Sequence, residues 1–139
     1  MLAQQNRVRS EHGAPPLLWD EELAAKAQTY ANIMAQSDVF AHDPTNRNPR
    51  QGENLWRGTR GGFPYAAMVG GWIGEQAYFK PGVFPDNSNN GNWMSVSHYT
   101  QMIWPTTTSI GCATASSATK DYLVCRYWPA GNKDGGALR

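Results

Sequence analysis

Cysteine is scarce in this chain of 139 residues: only Cys112 and Cys125 occur. Two thiols exclude a four-cysteine zinc module and a disulfide-dense miniprotein, and leave either free thiols or one bridge. Their spacing is not that of a CxxC redox site. Charge of one sign is lacking as well. Twelve Lys and Arg stand against eleven Asp and Glu, a net charge of +1 with the three His counted neutral, so nothing electrostatic points to a nucleic-acid or membrane-surface partner. Long apolar runs are missing too. Tyr65 to Ile73 lies in the longest stretch free of charge and strong polarity, Gly61 to Gly74, short of the ~20 residues that a membrane-crossing helix needs. Among the first ten residues only Met1, Leu2, Ala3 and Val8 are apolar, so there is no signal-peptide core. Taken alone, that start reads as a cytoplasmic chain or as a mature domain that opens on a helix. No Walker loop, dinucleotide fingerprint, nucleophile elbow or HExxH pattern is present.

What is present suffices for one folded domain over residues 1–139. Apolar residues make up 40% and aromatics 12%, too many for a disordered chain, and a chain of this length buries roughly two-thirds of its unfolded surface. No repeat, low-complexity tract or linker divides it. Asp20 is a good N-cap with Glu21 and Glu22 behind it, and Leu23, Ala27, Tyr30, Ala31 and Met34 recur at helical spacing, which predicts a helix to about Gln36. Residues 43–52 read as a loop. A second helix is expected from Pro64, with Tyr65, Met68, Val69, Trp72 and Ile73 on one face. Gly70, Gly71 and Gly74 weaken that helix, and close packing of another backbone against this face would explain them. Residues 80–93 read as loop, and Val96 to Trp104 as a short helix stopped by Pro105.

Ser109–Thr114 and Tyr122–Trp128 read as strands around the polar turn ASSATKD. A turn over Ser117 to Lys120 sets Cys112 opposite Cys125, close enough to be bridged at a non-hydrogen-bonded position; buried free thiols are the alternative. Helices first and strands late, with no βαβ alternation, indicate an α+β fold.

Three histidines remain to be weighed. His12, in EHGAPPL, reads as a surface or capping residue, whereas His42 opens the long loop and His98 lies in the short helix. Glu75 continues the apolar face of the second helix, where a carboxylate costs several kcal/mol unless it is paired, hydrogen-bonded or metal-bound. Glu53 sits where a loop enters an apolar segment, GENLW. Two His and two Glu from four separate segments suit one borderline divalent ion such as zinc. They equally suit a hydrogen-bonded polar cluster without metal. Ser97 next to His98 is not a nucleophile–base pair, because neighbouring helix residues do not face each other.

Several segments together resemble one family. SHYTQMIW (97–104) and YLVCRYWPAGN (122–132) resemble the two signatures of the CAP superfamily, which comprises cysteine-rich secretory proteins, antigen 5 allergens and pathogenesis-related proteins. GENLW (52–56) resembles its GEN motif, QNRVR (5–9) its helical HNxxR motif, and HGAPPLLWDEELAAKAQTYA (12–31) its N-terminal segment. The resemblance covers nearly the whole chain and implies an α-β-α sandwich, with a small antiparallel sheet between helical layers, in a single SCP-like domain. It implies secretion, or the bacterial periplasm as the alternative, as a monomer or weak dimer. It also implies a cleft lined by His42, Glu53, Glu75 and His98, in which the two His bind a divalent metal, often zinc.

Gln5 stands where the motif has His, Ser97 where Gly is usual, and Asp43 where Ser is common. Asp43 either orients a metal-bound His42 or caps the loop. The spacing from His42 to Glu53 is long, which alters the cleft rim, and the lean two-cysteine form without a glycosylation sequon resembles bacterial members. Two functions follow as expectations. One is a binding module for lipid, sterol or an extracellular protein partner, with Tyr99, Phe84 and Trp93 as ligand-contact candidates in the cleft or loop; the competing expectation is that Phe79 and Trp93 tuck into the core. The other is a metal-dependent hydrolase with Glu53 or Glu75 as general base.

Overall fold

The computed structural model describes residues 1–139. Helix α1 (Leu2–Glu11) leads to a two-residue strand β1 (Leu18–Trp19) and the long helix α2 (Glu21–Ser37). Asp20 caps α2 as its sequence position predicts: its carboxylate accepts from the N–H groups of Glu22 and Leu23, at 2.8 and 3.0 Å, an arrangement worth about 1 kcal/mol. Leu23, Ala27, Tyr30, Ala31 and Met34 are the buried residues of this helix. Strand β2 (Gly52–Thr59), helix α3 (Tyr65–Ile73) and a 3-10 turn (Gly74–Tyr78) follow, with Pro64 at the N-cap of α3. After the short strand β3 (Gly82–Val83) and a second 3-10 turn (Trp93–Val96) come helix α4 (Ser97–Met102), strands β4 (Ser109–Ser116) and β5 (Lys120–Trp128), and the short β6 (Ala137–Leu138).

The main sheet runs β1-β4-β5-β2. Its β4–β5 hairpin sets Cys112 against Cys125, and the two sulfurs are bonded, so neither cysteine is free. The sheet is mixed rather than purely antiparallel, because β1 pairs parallel to β4. Strand β2, which reads as the end of a loop in the sequence, is paired with β5 along its whole length.

Helices cover both faces. On one, Ala27, Tyr30, Ala31 and Met34 of α2 pack with Leu55, Tyr122 and Val124. On the other, Met68, Val69 and Trp72 of α3 and Met102 of α4 pack with Ile110, Cys112, Leu123, Cys125 and Tyr127. The approach of α2 to the sheet is closest at Gly111, where a Cβ would lie 2.1 Å from the Ala24 nitrogen; no side chain fits there. Gly70, Gly71 and Gly74 correct the expectation of close backbone packing: open space lies beside Gly70 and Gly74, and Gly71 meets only the Trp56 indole, at 3.8 Å.

Arg9 ties the second helical layer together. It is fully buried, and its guanidinium donates to the carbonyls of Pro15, Met102, Trp104 and Thr107. Burial lowers its pKa to about 10, against a smaller upward push from the nearby Tyr127. A cation is tolerable here because four carbonyl oxygens replace its water. Asn6 pairs with both backbone groups of Leu17, and Gln5 accepts the Tyr127 hydroxyl at 2.7 Å. The segment QNRVR is thus a structural clamp.

Candidate functional site

Glu53 and Arg126 face each other across the β2–β5 ladder, so their side chains share one side of the sheet. Arg126 Nε donates to Glu53 Oε2 at 2.7 Å, Nη2 to Asp43 Oδ2 at 2.8 Å and Nη1 to Gln51 Oε1 at 3.1 Å. The other oxygen of Glu53 accepts from His42 Nδ1 at 2.7 Å and from the Asp43 backbone N–H at 3.1 Å. His42 therefore hangs on a buried carboxylate that is itself held by a buried guanidinium. Asp43 closes the loop: its Oδ1 accepts from the Thr45 N–H and hydroxyl. Burial pushes the Asp43 pKa up, but the Thr45 bonds and Arg126 outweigh it and hold the group below its ordinary value.

His98 is built differently. Its Nδ1 lies 2.6 Å from Glu75 Oε2, while Glu75 Oε1 accepts the backbone N–H groups of His98 and Tyr99, both at 3.0 Å. One carboxylate thus caps the start of α4 and orients the imidazole. The ring of His98 stacks on Trp72, with centroids 5.8 Å apart and planes 9° from parallel, and Trp72 is fixed by its indole N–H on the Leu55 carbonyl. Asn54 holds the carbonyl of His98 at 3.1 Å.

His42, Glu53, Asn54 and His98 line one cleft of about 860 Å³. Glu75 stands behind His98 rather than in the lining. Phe84, Trp93 and Met94 form an apolar wall. Phe84 is largely buried, edge-on to Trp104 and Trp93. Trp93 is 45% exposed, contrary to the expectation that it tucks into the core; Phe79 does pack partly inward, against Tyr99 and His12. Tyr99 is a correction. It is fully buried, outside the cleft lining, with its hydroxyl 2.6 Å from His12 Nε2. Burial, and then the negative charge of Glu11, push its pKa up to about 12. It braces His12, whose Nδ1 lies 2.6 Å from the Arg139 carbonyl, and it has no surface to offer a ligand.

Both imidazoles line the cleft, and each is held at Nδ1 by a carboxylate. A carboxylate at Nδ1 makes that nitrogen the donor and leaves the Nε2 lone pair as the ligating position, the arrangement by which proteins orient metal-binding His. No group of three or more His, Cys, Asp or Glu side chains is arranged to hold a metal ion. Four residues that the sequence did not single out as site residues support the two imidazoles: Arg126 and Gln51 beneath Glu53 and His42, and Asn54 and Trp72 beside His98. The signal for Arg126 was there, since a cation inside the apolar run YLVCRYW must find a counter-charge if it points inward.

Known proteins share this architecture. Residues 2–127 match the CAP family, described as the cysteine-rich secretory protein family. The chain is 34% identical over 133 residues to pathogenesis-related protein PR-1 of Medicago truncatula, covering 94% of this chain and 72% of that protein. It is 37% identical over 127 residues to venom allergen 5.02 of Dolichovespula maculata, covering 84% of this chain and 55% of the relative. Among solved structures, NaASP2 with Zn2+ superposes with a TM-score of 0.78 at 27% identity, covering 98% of this chain and 80% of that one. With a family match over nearly its whole length and an α+β sandwich to go with it, the chain belongs to the cysteine-rich secretory protein (CAP) family.

Proposed function

We propose that this chain is an exported binding module whose cleft takes up a divalent cation of the zinc class between His42 and His98, with a lipid, a sterol or an extracellular protein docking beside it. The observation that carries this reading is the matched pinning of both imidazoles: Glu53 holds one Nδ1 and Glu75 the other, which leaves the same nitrogen of each ring for the ion. A bound ion supplies positive charge for an anionic or carbonyl group of the ligand. The protein's own contribution is to orient the rings and to offer Trp93 and Met94, both exposed, as an apolar shelf for the rest. Export is supported by the disulfide, a feature of oxidising compartments, and by the kinship with venom and pathogenesis-related proteins.

Hydrolysis fits less well. Both oxygens of Glu53 and both of Glu75 already accept hydrogen bonds from protein groups, so neither carboxylate is poised to take a proton from water.

Calorimetric zinc titration of the full chain tests the proposal. The expected result is saturable binding that is lost in both His42→Ala and His98→Ala. Unchanged binding in the double variant would overturn the metal reading, and zinc-dependent peptide cleavage abolished by Glu75→Gln would establish the hydrolase in its place.

A further inference from the structure

Behind the cleft lies a second cavity, of about 300 Å³, between α2 and residues 43–51. The long segment between His42 and Glu53 forms its outer wall. Asp43 and Asn46 belong to both cavities, whereas Glu53 lines only the cleft and Arg126 only the second cavity. The ion pair between Glu53 and Arg126 is therefore a partition with one charged group facing each way.

The second cavity is positive. Lys26 and Arg47 stand in its wall, and neither makes an ion pair with any carboxylate. Its one carboxylate, Asp43, is engaged by Thr45 on one oxygen and Arg126 on the other. Arg126 with its two carboxylates sums to a single negative charge, so Lys26 and Arg47 leave the cavity net positive. The floor is also short of acceptors. Arg126 is 3% exposed, and Glu53, Gln51 and Asp43 take three of its five N–H groups. Two donors of a buried guanidinium that lines this cavity with Lys26 and Arg47 thus have no protein acceptor. Asn48 lies in the same wall.

We propose that this cavity is an oxyanion site, taking a phosphate or sulfate group with Lys26 and Arg47 at its rim and the open N–H groups of Arg126 at its floor. Charge-assisted hydrogen bonds from a guanidinium and flanking cations are the usual chemistry for such groups. Tyr30 and Ile33 line the remaining wall, which leaves an apolar surface for whatever carries the anion. The site stands apart from the metal reading of the cleft, because none of these donors is a ring nitrogen of His42 or His98.

Inorganic phosphate is the probe. In a backbone-amide NMR titration at constant ionic strength, saturable shifts are expected over residues 29–33 and 47–51. The Lys26→Ala/Arg47→Ala double variant should bind at least about tenfold more weakly, the loss expected for two charge-assisted contacts, while the charge-conserving Lys26→Arg/Arg47→Lys variant retains binding. Both replace exposed surface residues, so the wild-type amide spectrum away from the site reports that the fold is intact. Absence of saturable shifts, equal affinity in the alanine variant, or shifts centred on His42 and His98 instead would overturn the proposal.

Discussion

The two halves of the cleft present the same group by opposite means. His42 sits on a loop with its side chain 68% exposed, and its orientation derives from the buried charges of Glu53, Arg126 and Asp43. His98 is 31% exposed in its side chain and derives its orientation from the start of a helix, a Trp face and one carboxylate. In the first half the ring contributes little to the fold and the charges beneath it contribute much; in the second the ring is itself part of the packing. The same chemical group at the cleft therefore does not mean the same role in stability.

The largest expected effect breaks the charged half. Arg126→Met strands the buried carboxylate of Glu53 and the half-buried one of Asp43, and removing one partner of such a network costs about 3–5 kcal/mol. Urea unfolding should show that loss, while the His98 ring resonances of the still-folded protein stay close to wild type. A loss below about 1 kcal/mol would mean that the network merely breaks even against its desolvation.

Comparing the two rings directly gives a smaller effect. His98→Ala removes the stack on Trp72 and should cost about 1 kcal/mol. His42→Ala, at an exposed position, should change stability by no more than about 0.5 kcal/mol. Thermal midpoints in the absence of metal decide this. Similar losses would erase the distinction between the halves.

The smallest effect at neutral pH lies beneath the His98 half, where Tyr127 donates to Gln5 and accepts from Asn54, the residue that holds the His98 carbonyl. Burial raises the Tyr127 pKa above its ordinary 10.0, despite opposing hydrogen bonds from Asn54 and Gln5. Because the folded-state value is the higher one, this contribution is complete below pH 10 and fades as pH climbs through the folded-state value. Denaturant midpoints should therefore fall above pH 10, and fall less steeply in Tyr127→Phe.

Much of the scaffold is legible in the residues. Asp20 and the apolar spacing behind it specify α2, because a cap and a 3.6-residue period are local properties. The hairpin register places Cys112 against Cys125 for the same local reason. Strand β2 escapes such a reading: GENLWRGT carries two glycines and an asparagine with no alternation, and it is a strand because β5 supplies the ladder. The sequence assembles His42, Glu53, Glu75 and His98 through a family resemblance, and the fold turns that set into two pinned rings.

What the chain determines by itself is the set of elements and the chemical types at the cleft, since caps, periodicity and turn residues act over a few positions. Tertiary structure alone decides that Arg126 faces away from the cleft while its carboxylate partner faces into it, and that Tyr99 is a brace rather than a contact. Those outcomes depend on which strand lies beside which, and on the cost of leaving a buried charge or hydroxyl without a partner. Groups separated by many residues meet that cost only once the sheet has closed.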